Sequence, residues 1–357
     1  MKKLFVLLSV TIALFLSAEP VSAHEVYVLS RQEFSQGMRG PMLNTLKALT
    51  KPQDIQLTIL LVIVVLAVLI CLFFFRYSRL GLEVDRRLKS IGVIGLFVIR
   101  VALGAAFIYA ASTNSIFGPE LSLSSLPVHQ LLPLVEYFIG ALFLVGLGTE
   151  LAAAVALALY VLVALHYGAY ALTYLNYLGE ILALLFFGSR FLSLDLLFFG
   201  QRKRLSKLKV YENTIIRVFY GLALLFATVN IKIIHAQISL EVVNKYRLNT
   251  FHLLFPPDPL LIVLGAAIVE TVISLFILVG FSTRLVNAIM VFYLTLSIIF
   301  FKEAVWPHYM LYGISLSLLL NGGGKLSLDD GIGRSIMKKR RRLVSVTRQK
   351  LGRRSSA

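Results

Sequence analysis

Long apolar runs alternate with short polar breaks along most of this chain. The first clean run, Ile55 to Phe75, holds 21 apolar or weakly polar residues. At about 1.5 Å rise per residue it would cross the roughly 30 Å hydrocarbon core of a bilayer as one helix. Comparable runs follow at about 91–111, 128–148, 150–167, 175–199, 214–234, 260–281, 285–301 and 306–320. The pattern predicts nine membrane helices and an all-α polytopic protein.

Ahead of them, Met1-Lys2-Lys3, the apolar stretch Leu4 to Ala18 and the small-residue site Val21-Ser22-Ala23 have the form of a secretory signal peptide over 1–23. The alternative is an uncleaved anchor helix. Cleavage would make His24 the first mature residue and leave 24–54 as an extracytoplasmic segment.

The polar breaks differ in charge. Arg76, Arg79, Arg86, Arg87 and Lys89 follow the first run, and Arg202, Lys203, Arg204, Lys207 and Lys209 follow the fifth. The tail 333–357 carries Lys338 to Arg342, Arg348, Lys350, Arg353 and Arg354, whereas the loop 112–125 has no Lys or Arg. Basic loops mark the cytoplasmic side. The expected topology therefore puts the mature N-terminus outside and the C-terminus inside, in the plasma (inner) membrane.

Part of the pattern occurs twice. Glu136-Tyr-Phe-Ile-Gly-Ala-Leu-Phe-Leu-Val-Gly-Leu-Gly-Thr-Glu-Leu151 returns 134 residues later as Glu270-Thr-Val-Ile-Ser-Leu-Phe-Ile-Leu-Val-Gly-Phe-Ser-Thr-Arg-Leu285. The same offset carries Ser193-Leu194-Asp195 onto Ser327-Leu328-Asp329, and Arg100/Gly104 recur as Arg217/Gly221 at an offset of 117. An internal duplication follows. With four segments in each copy, both enter the membrane in the same direction. The reading is two tandem, parallel four-helix bundles side by side, 91–199 and 213–332, plus one additional N-terminal transmembrane helix at 55–75. Gly104, Gly140, Gly146, Gly221, Gly265 and Gly280 would let helices approach closely.

Composition narrows the chemistry. Hydrophobic residues make up 58% of the 357, too many for a soluble globular chain. The formal net charge of +17 does not indicate specific nucleic-acid binding, because the basic residues flank apolar runs. The tail would instead lie on anionic lipids. A single cysteine, Cys71, rules out an internal disulfide and a CxxC relay, and neither a phosphate-binding glycine loop nor HExxH is present. No independent catalytic activity is expected.

Taken together, Arg-x3-Gly, Glu-x9-Gly-x2-Thr and the closing Ser-Leu-Asp, each seen twice, resemble the DoxX family over about 92–199 and 213–332. The resemblance implies a small four-helix membrane unit and, for a few members, a link to quinone-reducing thiosulfate oxidation or other redox complexes. It implies an accessory subunit of a membrane redox or envelope process, with an intramembrane quinone or lipid pocket and a partner protein. A small-solute transporter and a scaffold binding an envelope partner are the alternatives.

Candidate site residues are the charges inside the runs: Arg100, Glu136 and Glu180 in the first copy, Arg217 and Glu270 in the second. A charge near the bilayer centre costs at least ~2.5–3.5 kcal/mol, so each has to pair, neutralise or snorkel. Counting along the helices suggests Arg100–Glu136 and Arg217–Glu270 pairs, read either as structural clamps or as the lining of a pocket. Glu180 meets only Ile314 at its repeat position. His24, with its free amine, is a weak metal candidate for copper. His166-Tyr167 and Trp306-Pro307-His308-Tyr309 suit interfacial anchoring.

Overall fold

The computed structural model describes residues 45–189, 191–200, 208–250, 256–301 and 306–332. The expected signal peptide over 1–23, His24 and the basic tail 333–357 lie outside the described residues. The described chain is helical apart from one antiparallel ribbon, β1 (Ser115–Ile116) with β2 (Gly118–Ser122). Its helices are α1 (Pro52–Tyr77), α2 (Arg79–Ser90), α3 (Gly95–Ser112), α4 (Leu132–Val145), α5 (Thr149–Tyr167) and α6 (Leu175–Phe187), then α7 (Leu194–Phe199), α8 (Glu212–Ala227), α9 (Ala236–Lys245), α10 (Pro259–Val279), α11 (Thr283–Phe301) and α12 (Trp306–Asn321).

Five helical stretches are long and apolar enough to cross a membrane: Pro52–Tyr77, Gly92–Ser112, Thr149–Phe187, Lys209–Ile234 and Pro259–Val279. The third is two helices, because the chain turns at Gly168 and α5 packs back against α6. α4 and α11 are shorter apolar helices. This is a multi-pass membrane protein.

Three local structures depart from the apolar pattern. The run at 175–199 ends as a helix at Phe187, where Gly188 takes φ +61° and Ser193 caps the separate helix α7. The loop after α1 is helical: Ser78 Oγ accepts from Gly81 N at 3.0 Å and starts α2, whose Arg79, Arg86, Arg87 and Lys89 are exposed alongside Leu80 and Leu82. The loop 112–125 folds into the ribbon.

The larger departure is in the packing. Two bundles side by side would each keep their own four helices together. Instead, α3 and α4 pack on each other, as do α5 and α6, α8 and α10, and α11 and α12, and the strongest further contacts exchange partners. α6 packs on α8 and α12 packs on α3, so the fourth helix of each set lies against the first helix of the other. The helices form two rows, α4–α3–α12–α11 and α5–α6–α8–α10. Close approach makes the exchange possible. Gly179 of α6 brings a would-be Cβ to 2.5 Å from the Phe219 Cβ, and Gly313 of α12 brings one to 2.8 Å from the Ala102 Cβ.

Within the rows, Gly104 and Gly140 bring α3 and α4 together, and Gly221 brings α8 onto the Leu278 backbone of α10. Gly265 meets only Leu61, at ordinary van der Waals distance. Gly146 and Gly280 do not serve helix approach: with φ +68° and +70° they are the left-handed ends of α4 and α10.

α1 stands at the edge against α10, with Phe73 stacked on Phe281 at 6.0 Å between ring centres. Its other side chains are largely exposed and apolar, as a lipid-facing helix requires. A charge cluster ties its basic end down. Arg76 lies 3.2 Å from Asp85 of α2, and Arg284 at the start of α11 also bonds Asp85.

Candidate functional site

The repeated motifs meet at the basic end of the helices. α4 stops at Gly146 and α5 begins at Thr149. The first backbone N–H groups of that new helix need acceptors from elsewhere. Asp195 supplies them: Oδ1 accepts from Gly148 N at 2.7 Å and Oδ2 from Thr149 N at 3.0 Å, while Asp195 N donates to Gly146 O at 2.9 Å. In the second set Asp329 accepts from Ser282 N at 2.8 Å and Thr283 N at 2.9 Å, and its N–H donates to Gly280 O at 3.1 Å. The aspartate of each Ser-Leu-Asp thus caps a helix whose start lies some forty-six residues upstream. Asp195 lies beyond the end of α6, outside the spans. Burial pushes its carboxyl up, but hydrogen bonds from Thr149, Gly148 and Ser189 outweigh that and hold it below the ordinary carboxylate value.

Each arginine completes the same clasp. Arg217 Nε donates to Gly323 O at 2.9 Å, Nη1 to Ile277 O at 3.0 Å and to Leu278 O, and Nη2 to Leu326 O at 3.4 Å. Its cation therefore sits at the carbonyl end of α10, the favourable end of the helix dipole. Arg100 Nη2 donates to Leu192 O at 2.7 Å, and a Cβ at Gly146 would collide with its guanidinium.

These positions overturn the expected Arg100–Glu136 and Arg217–Glu270 pairs. Glu136 and Glu270 precede Gly146 and Gly280 by ten residues each, or about 15 Å along a helix. Arg217 stays with the carbonyls because its fixed fork of donors matches a helix end better than a carboxylate two to three turns away, and Arg100 donates to the loop carbonyl of Leu192.

The carboxylates form a second tier inside the spans. Glu136 of α4 and Glu180 of α6 are both 0% exposed, and none of their carboxylate oxygens has a hydrogen-bond partner. Glu270 of α10 is different. Lys232 Nζ lies 3.0 Å from its Oε2, and Thr228 Oγ1 donates to the same oxygen at 3.2 Å. The Lys232 side chain is 9% exposed and that of Glu270 24%.

Lys232 was missed when the candidate charges were chosen, although a lone lysine inside the run 214–234 was a readable signal. What could not be read was its reach. Thr228–Ile234 is wound as a π-helix, a form that commonly marks functional positions. This winding lets Lys232, from beyond the end of α8, meet the middle of α10.

Residues 213–303 match the DoxX family model.

The DoxX-matching stretch contains Arg217, Thr228, Lys232, Glu270 and the α10–α11 turn. No curated protein and no solved structure matches the chain.

Other residues sort differently from expectation. Trp306, His308 and Tyr309 are buried, and Trp306 packs on Tyr109 at 5.1 Å, so they are core residues of the α12–α3 contact and not interfacial anchors. His166 is exposed, with Tyr167 against it at 4.7 Å, as an anchor would be. Among the described residues no group of three or more His, Cys, Asp or Glu side chains could hold a metal ion.

Proposed function

We propose that the chain is a duplicated DoxX-type protein of the plasma (inner) membrane, its two copies at 91–199 and 213–332, its N-terminus outside and its C-terminus cytoplasmic. In this reading it is an accessory subunit of a membrane redox or envelope process, without turnover of its own. Its ligand site is Lys232–Glu270–Thr228, which takes the polar headgroup of a quinone or lipid.

One observation carries the ligand reading: an ion pair to a glutamate in the middle of the apolar helix α10, whose side chain stays 24% exposed. A purely structural pair in lipid gains most from complete enclosure. A reachable one offers a cation and a hydroxyl to a ligand carbonyl or phosphate, and a carboxylate to a ligand hydroxyl. The first copy has Glu136 at the equivalent of Glu270 but Ser115 at the equivalent of Lys232, so only the second copy can bind in this way. Two observations support the duplication: the repeated motifs build the same clasp twice, and the DoxX match falls on the second copy.

The test is purification in mild detergent with mass spectrometry of co-purifying small molecules, on the native protein and on Lys232→Met and Glu270→Gln. A quinone or defined lipid present in the native protein and lost in both variants supports the site. Solute-dependent flux in liposomes would favour a transporter. A co-purifying protein partner, with neither ligand nor flux, would favour a scaffold.

A further inference from the structure

The two exchanged crossings, α6 on α8 and α12 on α3, allow an internal comparison. Gly179 against Phe219 and Gly313 against Ala102 are equivalent contacts, since the fourth helices correspond at an offset of 134 and the first helices at 117. One residue further along each helix the crossings diverge. In the first, Glu180 lies within electrostatic reach of Tyr220, whose hydroxyl shares a 2.9 Å hydrogen bond with Ser315 Oγ of α12. In the second, the residues equivalent to Glu180 and Tyr220 are Ile314 and Leu103, 1% and 0% exposed, and Ile181 stands where Ser315 does.

The fold thus closes one crossing with three apolar side chains. It closes the other, at the same burial, with a carboxyl, a phenol and a hydroxyl. Packing does not require the polar set, because its apolar equivalent fills the same niche. Nor does hydrogen bonding explain Glu180, since neither of its oxygens has a partner.

We propose that Glu180, with the Tyr220–Ser315 hydroxyl pair beside it, is an intramembrane proton-exchange site. On uptake one proton adds to a Glu180 Oε; on release the same proton leaves, and no electron moves. The other buried titratable groups on the helices packed against α6 lie elsewhere. Tyr160 of α5 donates to Ala171 O, Arg217 of α8 is held by backbone carbonyls at the basic end, Arg100 of α3 donates to Leu192 O there, and Glu212 is the first residue of α8 at that same end. Tyr220 follows Phe219 at the close crossing on Gly179 and is within electrostatic reach of Glu180. The site is separate from Lys232–Glu270 and does not depend on the ligand proposed there.

The experiment treats the full-length protein in liposomes with dicyclohexylcarbodiimide, an apolar reagent that adds to protonated carboxyl groups, and maps the adducts by peptide mass spectrometry. The expected result is an adduct on Glu180 that forms about tenfold or more slowly as pH rises from about 6 to about 9. It is absent in Glu180→Gln and slowed severalfold in Tyr220→Phe. Ser315→Ala is the second variant, expected to shift the same pH profile by loosening Tyr220. No adduct on Glu180, or a rate independent of pH in the native protein, would overturn the proposal. Protection by Na+ at constant pH would overturn it in favour of a metal-cation site.

Discussion

Lys232 Nζ lies 3.0 Å from the Glu270 carboxylate within the apolar span, and the two are brought together by one π-wound turn. Removing one partner leaves the other charge in poor surroundings, which costs more than removing both. Lys232→Met is expected to destabilise the protein by about 2–3 kcal/mol. This is below the 3–5 of a fully buried pair, because Glu270 keeps contact with its surroundings. The double variant Lys232→Met/Glu270→Gln should recover part of that loss. Thermal unfolding of the full chain in detergent, run as a double-mutant cycle, checks both values.

The Asp195 clasp should make stability depend on pH in the acid range. Its carboxyl is held below the ordinary value, so its contribution is fully present above about pH 4, the unfolded value, and is lost as pH falls through the folded value. Asp195→Asn keeps the shape but weakens two charge-assisted caps, a loss of about 1–2 kcal/mol near pH 7. The variant and the native protein should converge as pH falls below the folded value. Melting curves that stay parallel throughout would contradict the assignment.

Arg217 and Arg100 occupy equivalent places with unequal bonding. Arg217 donates through all three of its nitrogens, whereas Nε and Nη1 of Arg100 have no hydrogen-bond partner. Hydrogen bonds from charged groups contribute about 1.5–3 kcal/mol each. Arg217→Met should therefore destabilise the protein more than Arg100→Met, by at least about 1.5 kcal/mol. Lysine should not rescue position 217, because one ammonium cannot reach both Gly323 O and Ile277 O with the guanidinium's spacing.

Gly221→Ala places a Cβ 2.8 Å from Leu278 N, a backbone atom that cannot swing away. The α8–α10 contact must open, at about 1–3 kcal/mol. Gly265→Ala, where the nearest atom is a Leu61 side-chain carbon at 3.4 Å, should be nearly neutral. Comparing the two melting temperatures separates close helix approach from the general effect of losing a glycine.

The sequence by itself showed that the chain is a multi-pass, helical membrane protein, because apolar length in lipid leaves the backbone no other solution. Against its nine predicted spans, five helical stretches among the described residues are long and apolar enough to cross. It also placed the repeated Arg, Gly-x2-Thr and Ser-Leu-Asp positions, whose equal spacing was legible without coordinates. Their bonding was not legible. Ten residues between Glu136 and Gly146 seemed compatible with an Arg100–Glu136 pair until the arginine's actual partner, the loop carbonyl of Leu192, was visible. Apolar spacing likewise cannot say which helix packs on which, since lipid-exposed and helix-exposed apolar faces look alike in a membrane chain. Only the tertiary structure decided that α6 lies on α8 and α12 on α3. That exchange is what brings the Glu180 and Tyr220 helices together, whereas Lys232 reaches Glu270 through the π-wound turn within the second set.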